Sequence, residues 1–249
     1  MYTKIAACAI AFGASAALAG DVNPGVIFGS GNANGSFTID SNSGVEIGLR
    51  AKTRYNSSGV AENTFNWDGG STYTFDPANG SPAANRAMWN FEWSINTDVD
   101  GDTGNNLSDF TYQLALFSVD SDGTNLADAF VFDPINTLYA DHSIGDNSTT
   151  AATDSVAGDP ISYASLIAGN NVAQNSWNYG FFNGLGSGAL EGIDPSMAGT
   201  YIIRLTAFDG TGIVASSEIT VNVVPLPPAA FAGLGLLGGL VGVRAIRRR

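Results

Sequence analysis

Several short stretches of the chain alternate apolar and polar residues, and this pattern constrains the fold more than any other feature. They are GVEIGLRAKTR (44–54), MWNFEWSIN (88–96) and FTYQLALFSV (110–119). A period of two places successive side chains on opposite faces of a β-strand, so each stretch predicts a strand with two distinct faces. The segments between them are rich in Gly, Asn, Ser and Asp, which favour turns and disfavour long helices.

Further strands are predicted for GVIFGS, SFTID, STYTFD and AFVFD. Near the end, TYIIRLTAF and GIVASSEITVNVV flank Asp209-Gly210-Thr211-Gly212, which is a hairpin signal. No stretch shows a long, well-capped helical period, and the polar segment 141–173 is interpreted as a long loop within one sandwich, with a domain boundary as the alternative. We therefore predict one all-β domain over residues 20–223, an antiparallel β-sandwich of Ig-like or jelly-roll-like type. The last hairpin resembles that of Ig-like bacterial surface domains.

The charge of the chain is unevenly distributed. Residues 21–218 hold all 23 acidic residues but only five of the ten basic ones, so this segment has a formal net charge of −18, against −13 for the whole chain. Such a surface repels nucleic-acid phosphates, and we expect no nucleic-acid partner. Of the 23 acids, 18 are Asp, whose short carboxylates fit both turns and Ca²⁺ ligation.

The N-terminus has the three parts of a secretory signal. Lys4 gives a positive start, residues 5–18 form the apolar stretch, and Ala17-Leu18-Ala19 offers small residues for cleavage. We predict a signal helix that is removed as residues 1–19, with Ala17 and Ala19 at the cleavage site. The only cysteine, Cys8, leaves with it, so no disulfide can cross-link the mature chain.

The C-terminal segment, residues 224–249, follows the acidic chain with prolines, an apolar run and arginines. Residues 229–243 carry no charge and span about 22 Å as a helix, against a bilayer core of about 30 Å. We therefore predict a short transmembrane helix with a cytoplasmic basic tail of Arg244, Arg247, Arg248 and Arg249. The residues alone fit either a plain membrane anchor or a processing signal.

The order of Val224-Pro225-Leu226-Pro227, an apolar run and an arginine cluster resembles the VPLPA-CTERM sorting signal. That signal is a variant of the PEP-CTERM signals of Gram-negative bacteria, and Pro228 stands where its usual form has alanine. The resemblance implies transient residence in the inner membrane and processing by an exosortase, a membrane-embedded transpeptidase-like protease. It also implies a final location at the cell surface or outside the cell, in bacteria that make exopolysaccharide and biofilm matrix.

One acidic stretch, NTDVDGDTGNNLSD, has the pattern of a metal-binding loop. It places Asp98, Asp100 and Asp102 at alternate positions, followed by Asp109. Carboxylates spaced in this way in a tight loop can converge on Ca²⁺, which takes roughly six to eight oxygen ligands. The match to an EF-hand loop is imperfect, since Thr103 replaces its glycine and no helical pattern flanks the loop. We predict a calcium site at these four residues, with an acidic solvated turn as the alternative.

The sequence contains little that points to catalysis. The single histidine, His142, lies in the polar stretch ADHSIGDNS and is interpreted as a solvated loop residue, and there is no Gly-x-Ser-x-Gly elbow. Trp67 and Trp177 lie beside turn-forming residues and are predicted ligand contacts, with core packing as the alternative. We predict no catalytic residue.

These features together predict a non-enzymatic, exported protein of the cell surface or extracellular matrix. Its role is structural or interactive and is linked to exopolysaccharide or biofilm. One alternative is a carbohydrate-binding module that depends on calcium. A more distant alternative is a polysaccharide hydrolase with paired carboxylates, because 23 acids are present and nothing singles out a pair.

Overall fold

A computed structural model describes residues 18–27, 32–56, 58, 60–76, 86–119, 130–137, 139–151, 153–182 and 198–224. Within these ranges the chain forms twelve β-strands and one α-helix. The strands make two β-sheets with a shared core, which confirms the prediction of an all-β, sandwich-like fold. The predicted signal helix and transmembrane helix lie outside the described residues.

The strands follow one another in a mostly antiparallel arrangement. They are β1 (Leu18–Gly20), β2 (Phe37–Asn42), β3 (Val45–Tyr55), β4 (Ala61–Thr64), β5 (Thr72–Phe75), β6 (Trp89–Asn96), β7 (Thr111–Val119), β8 (Phe130–Phe132), β9 (Ser143–Gly145), β10 (Val172–Asn178), β11 (Gly199–Asp209) and β12 (Gly212–Val223), with helix α1 (Pro160–Gly169) before β10. Sheet I has the order β1-β2-β3-β6-β10-β9, and β4 also pairs with β3. Sheet II has the order β5-β12-β11-β7-β8, and its β5–β12 pair is parallel.

The main hydrophobic core lies between the two sheets. Sheet I contributes the apolar faces of β3 and β6, namely Val45, Ile47, Leu49, Ala51, Trp89, Phe91, Trp93 and Ile95, all of which are fully buried. Sheet II contributes alternate residues of β11 and β12, including Ile203, Leu205, Ile219 and Val221. Burying one large apolar side chain contributes about 1.5–3 kcal/mol to stability, so this interface is the main source of cohesion.

The hairpin predicted near the C-terminus is confirmed. β11 ends at Asp209 and β12 begins at Gly212, so the turn falls on the expected residues. The Asp209 carboxylate accepts hydrogen bonds from the backbone N–H groups of Thr211 (2.7 Å) and Gly212 (3.0 Å). Such a side-chain contact to the backbone two residues ahead is the reason Asp favours turns.

Segment 141–173 is not a simple loop, because it supplies β9, α1 and the start of β10. Helix α1 begins after Asp159, whose Oδ1 accepts from the N–H groups of Ile161 (2.8 Å) and Ser162 (2.9 Å). Pro160 occupies the first helical position, where its missing N–H has no cost. Asp159 followed by Pro160 is thus a sequence signal for the start of a helix. It was not recognised because the helix is too short to show a long helical period.

A second layer covers the polar face of sheet I. The described parts of residues 21–35, here called the cover segment, lie against the outer side of β3, β6 and β10 and bond to their side chains. Val22 packs against Gly48 so closely that a Cβ there would lie 2.6 Å from Val22 Cγ1. The alternation in β3 and β6 therefore does separate apolar from polar side chains, but both faces are buried.

Candidate functional site

Three charged side chains meet on the outer face of sheet I, under the cover segment. Arg50 and Lys52 belong to β3, and Glu92 lies on the neighbouring β6 directly opposite Arg50. The Arg50 Nε–Glu92 Oε2 distance is 2.5 Å, and Lys52 Nζ forms an ion pair with Glu92 Oε1. The side chains of Arg50 and Glu92 are 0 % exposed, and that of Lys52 is 4 % exposed. We call these three residues the buried ion cluster.

Burial dominates the electrostatics of this cluster. Desolvation lowers the pKa of the Arg50 guanidinium and of the Lys52 ammonium, and the Glu92 carboxylate opposes the shift in both cases. Arg50 also lowers the pKa of Lys52 by like-charge repulsion. With two cations and one anion, the cluster has a formal charge of +1 at side chains that are almost completely buried.

The cover segment gives the cluster further contacts. Arg50 Nη1 donates to the backbone carbonyls of Ala33 (2.8 Å) and Gly35 (2.7 Å), and Lys52 Nζ donates to the side-chain oxygen of Asn32 (2.7 Å). The Arg50 guanidinium also lies over the Phe37 ring at 4.2 Å from its centroid. The sequence did not predict this site. Alternation places Arg50, Lys52 and Glu92 on polar strand faces, but it does not fix the register that sets Arg50 opposite Glu92.

A network of amides lies at one end of the same face. Asn96 Nδ2 donates to Asn23 O (2.6 Å) and Asn147 Oδ1 (2.8 Å), while Asn171 Nδ2 donates to Asn96 Oδ1 (2.8 Å). Glu46, opposite Asn96 in the ladder, accepts from the Asn23 N–H at 2.8 Å. Burial raises the pKa of the Glu46 carboxyl to about 7, against the lowering effect of that hydrogen bond. This end of the sheet therefore holds a carboxyl group that is half protonated near neutral pH.

The predicted calcium loop follows β6, and its first carboxylate bonds to the loop itself. Asp98 Oδ1 accepts from the N–H groups of Asp102 (3.0 Å) and Thr103 (2.9 Å), and Oδ2 accepts from the Gly104 N–H (3.1 Å). Hydrogen bonds from Thr103 are the main reason that the pKa of Asp98 is lowered. The geometry is that of an acidic turn closed by its first residue.

The other predicted calcium ligands do not converge on Asp98. Asp100 and Asp102 are exposed, and Asp109 accepts from the Asn106 N–H at 2.7 Å. Among the residues that the structure describes, no three acidic, histidine or cysteine side chains form a group able to hold a metal ion. The calcium site therefore remains a prediction, and it requires a change in the conformation of the loop that brings these carboxylates together.

The two predicted ligand tryptophans lie in different environments. Trp67 is half-buried beside β5, donates from Nε1 to Gly70 O (2.9 Å) and stacks on Tyr73 with 6.4 Å between ring centroids. Trp177 is not beside a turn as expected but within β10, only 8 % exposed. Its ring is surrounded by aromatic neighbours, including Trp93 and Phe182. Trp177 therefore has no free face for a sugar.

His142 is not a solvated loop residue as predicted, because it is fully buried. Nε2 lies 2.8 Å from Pro134 O, which can only accept, so Nε2 carries the proton. Nδ1 then accepts from Asn175 Nδ2 at 2.9 Å, and the ring meets Trp93 edge-on at 4.9 Å. Burial lowers the pKa of His142 to about 4. Both ring nitrogens are occupied, which leaves neither to activate a nucleophile.

The sorting and cleavage residues lie at or beyond the edges of the described chain. Ala19 lies in β1, opposite Thr38 of β2, and Val224 follows β12. Ala17, Pro225, Leu226, Pro227 and the four tail arginines lie outside the described residues. Within the described part of the chain, the helical segments are too short or too polar to span a bilayer.

Comparison of the chain with protein-family models and with curated proteins finds no match in either set.

Proposed function

We propose that the protein is an exported, non-enzymatic component of the cell surface or extracellular matrix, delivered by its C-terminal tail. The observation that carries this proposal is the tripartite order of residues 224–249, combined with a secretory signal at residues 1–19. An exosortase is the proposed processing enzyme and the inner membrane the transient location, both on the resemblance of the tail to VPLPA-CTERM signals. The −18 charge of residues 21–218 suits a soluble life outside the cell.

The position of the tail relative to the folded domain supports this proposal. β12 lies inside sheet II, between β5 and β11, and ends one residue before Val224. Val224 is 45 % exposed, and its N–H donates to Phe75 O at 2.9 Å. Cleavage beyond Val224 therefore removes no residue of β12 or of the strands before it.

Mass spectrometry of the mature protein tests the processing. Expressed in a host that has the exosortase, the protein should end near residues 224–228, without Arg249. A Pro225→Ala, Pro227→Ala variant, which removes the motif prolines but keeps the apolar run and arginines, should retain Arg249. Recovery of intact Arg249 from the mature wild-type protein would instead establish a plain membrane anchor.

We propose a structural or interaction role for the domain, within an exopolysaccharide or biofilm matrix. Support comes from His142, the single histidine, whose two ring nitrogens are occupied by Pro134 O and the Asn175 amide. Within the all-β class we propose an Ig-like arrangement, with a jelly roll as the alternative, because the β11–β12 hairpin is the last of the described strand pairs. Binding of host exopolysaccharide to the purified domain, without turnover, is the expected result.

A calcium-dependent carbohydrate-binding module is the second candidate function, and Trp67 is the observation that favours it. Its indole is half-buried, so part of the ring remains open beside a turn. Polysaccharide pull-down with and without chelator separates this candidate from the first. Binding that needs calcium and is lost in Trp67→Ala supports the module. Release of shorter glycans by the purified protein would instead support the hydrolase.

The calcium component has its own test. The melting temperature is measured for the wild type and for Asp100→Asn, Asp102→Asn, each in Ca²⁺ and in EDTA at matched ionic strength. Ca²⁺ at 100 times its dissociation constant stabilises a single site by about 2.7 kcal/mol. We expect a large calcium-dependent rise in the wild type and little in the variant. An equal response in both proteins identifies general charge screening and removes the calcium site.

A further inference from the structure

We propose that Lys52 and Asn32 join in an intramolecular amide bond, between Nζ and the side-chain carbonyl carbon, with Glu92 relaying protons and ammonia as the leaving group. The bond would covalently attach the cover segment to sheet I. The inference rests on the buried ion cluster and is independent of the proposed export.

The reacting groups are already in contact. Lys52 Nζ lies 2.7 Å from Asn32 Oδ1, so the carbon that it must attack is one covalent bond further on. Glu92 Oε1 contacts the same Nζ, which gives the amine a proton acceptor at the point of reaction. Groups held in this way react as if at very high concentration, because the entropy of bringing them together is already lost in folding.

The backbone around Asn32 is fixed on its C-terminal side. Arg50 Nη1 holds the carbonyls of Ala33 and Gly35, at 2.8 and 2.7 Å. Asn34 in turn bonds to both backbone groups of Val22, at 3.0 Å through Oδ1 and 2.7 Å through Nδ2. The Asn32 carboxamide is therefore presented by a segment with several independent attachments, which favours reaction over withdrawal of the side chain.

Charge supplies a driving force for the reaction. The cluster has two cations and one anion in a buried site, and an excess buried charge is costly. Converting the Lys52 ammonium into an amide leaves Arg50 and Glu92 as a neutral pair. Desolvation and the neighbouring Arg50 lower the pKa of Lys52, which increases the fraction of the amine that is neutral and nucleophilic.

The reaction balances without another reactant. Glu92 accepts a proton from the Lys52 ammonium, and the Nζ lone pair forms a bond to Asn32 Cγ. The Cγ–Nδ2 bond breaks as Glu92 returns the proton to Nδ2. Nζ also loses a second proton, which the released ammonia takes up, so that it leaves as ammonium. Nothing is oxidised or reduced, and Glu92 ends as the carboxylate with which it began.

Mass spectrometry of the full-length chain, purified folded and then denatured, tests the bond. The expected mass is lower than that of the sequence by one ammonia. Trypsin should leave residues 51–54, uncut after Lys52, attached to the peptide that contains Asn32 and ends at Arg50. An unmodified mass, with separate peptides cut after Lys52, overturns the proposal.

Variants separate this bond from other losses of ammonia. Asn32→Ala and Lys52→Arg should both restore the full mass, while the matched control Asn42→Ala, at an exposed asparagine, should keep the loss. Cyclisation at Asn34-Gly35 also releases ammonia, but it needs no lysine. A loss that persists in Lys52→Arg therefore overturns the proposal, and Asn32→Ala settles the question if Lys52→Arg does not fold.

The proton relay has a separate readout. Glu92→Asp keeps the charge but withdraws the carboxylate from Nζ. The starting material is protein synthesised under denaturing conditions, in which the bond has not formed. After this protein is refolded by removal of the denaturant, the loss of mass is measured over time. A slowing of roughly tenfold or more is expected for loss of a positioned general base. An unchanged rate removes Glu92 from the reaction.

Discussion

Strands β3 and β6 carry Leu49 and Trp93 on one face and Arg50 and Glu92 on the other, and none of these four side chains is exposed. The inner face meets sheet II through apolar contact, which is non-directional and scales with buried area. The outer face meets the cover segment through ion pairs and hydrogen bonds that each need a specific partner. The two faces are equally buried but differ in how well they tolerate substitution. Trimming an apolar side chain removes part of the contact, whereas removing one partner of an ion pair leaves the other charge buried and unpaired.

The largest expected effect is on the outer face. Glu92→Gln conserves shape but removes the anion that pairs with Arg50 and, wherever the proposed amide bond has not formed, with the Lys52 ammonium. Breaking a buried ion pair in this way costs about 3–5 kcal/mol, so the urea midpoint should fall sharply. The matched control is Glu218→Gln, which breaks the partly exposed pair with Arg204 and should cost less than about 1 kcal/mol. Similar losses in the two variants would show that the cluster is hydrated.

The pH dependence of stability compares the two faces directly. His142, packed against the inner Trp93, has its pKa lowered from 6.5 to about 4, so its contribution to stability is lost as pH falls below 6.5. Glu46, on the outer face, has its pKa raised from 4.5 to about 7, so its contribution is lost as pH rises above 4.5. Between pH 4.5 and 6.5 the two slopes oppose each other.

Glu46→Gln removes only one of these slopes. The stability of the variant relative to wild type should increase by about 1.4 kcal/mol per pH unit between pH 4.5 and 7, measured by urea unfolding. Glu218→Gln serves again as the control, with a flat difference expected over the same range. If the stability difference between Glu46→Gln and wild type does not change with pH, the Glu46 carboxyl group is solvated in the folded protein.

The smallest expected effect is on the inner face. Ile203→Val removes one buried methylene from the interface between the sheets and should cost about 0.5–1.5 kcal/mol, without loss of folding. Ile213→Val, at a side chain that is 40 % exposed, should cost less than that. Thermal unfolding measures both. A cost for Ile203→Val as large as that of Glu92→Gln would erase the distinction between the faces.

The elements predicted correctly from sequence are those whose pattern is local. The β11–β12 hairpin follows from alternation on both sides of Asp209-Gly210-Thr211-Gly212, and β3 and β6 follow from their own periods. β10 was missed because Gln174 and Asn178 make it look like a loop. These side chains are buried against partners distant in sequence, with Gln174 accepting from the Ile27 N–H and Asn178 from the Ala87 N–H.

The same limit explains the candidate site. An alternating pattern is the same whether its polar residues face water or a second layer of protein. The cover segment, which has no period of its own, helps to bury Arg50 and Lys52, and its hydrogen bonds to them join residues 15 to 20 positions apart. The Phe65 ring, 4.6 Å from the Arg50 guanidinium, is also distant in sequence. His142 was misjudged for the same reason, since its burial depends on Trp93 and Asn175.

The three-residue strand β1 has a consequence for the order of events during export. Its pairing sets Ala19 opposite Thr38 and Gly20 opposite Phe37, so the backbone at the proposed signal cleavage point is part of the sheet edge. A protease needs that backbone free, and cutting there competes with closure of the ladder. A cut at this proposed point therefore has to precede folding of the sheet edge. A folded precursor should resist purified signal peptidase that cuts the unfolded precursor readily, and equal rates would show that β1 opens faster than it is cut.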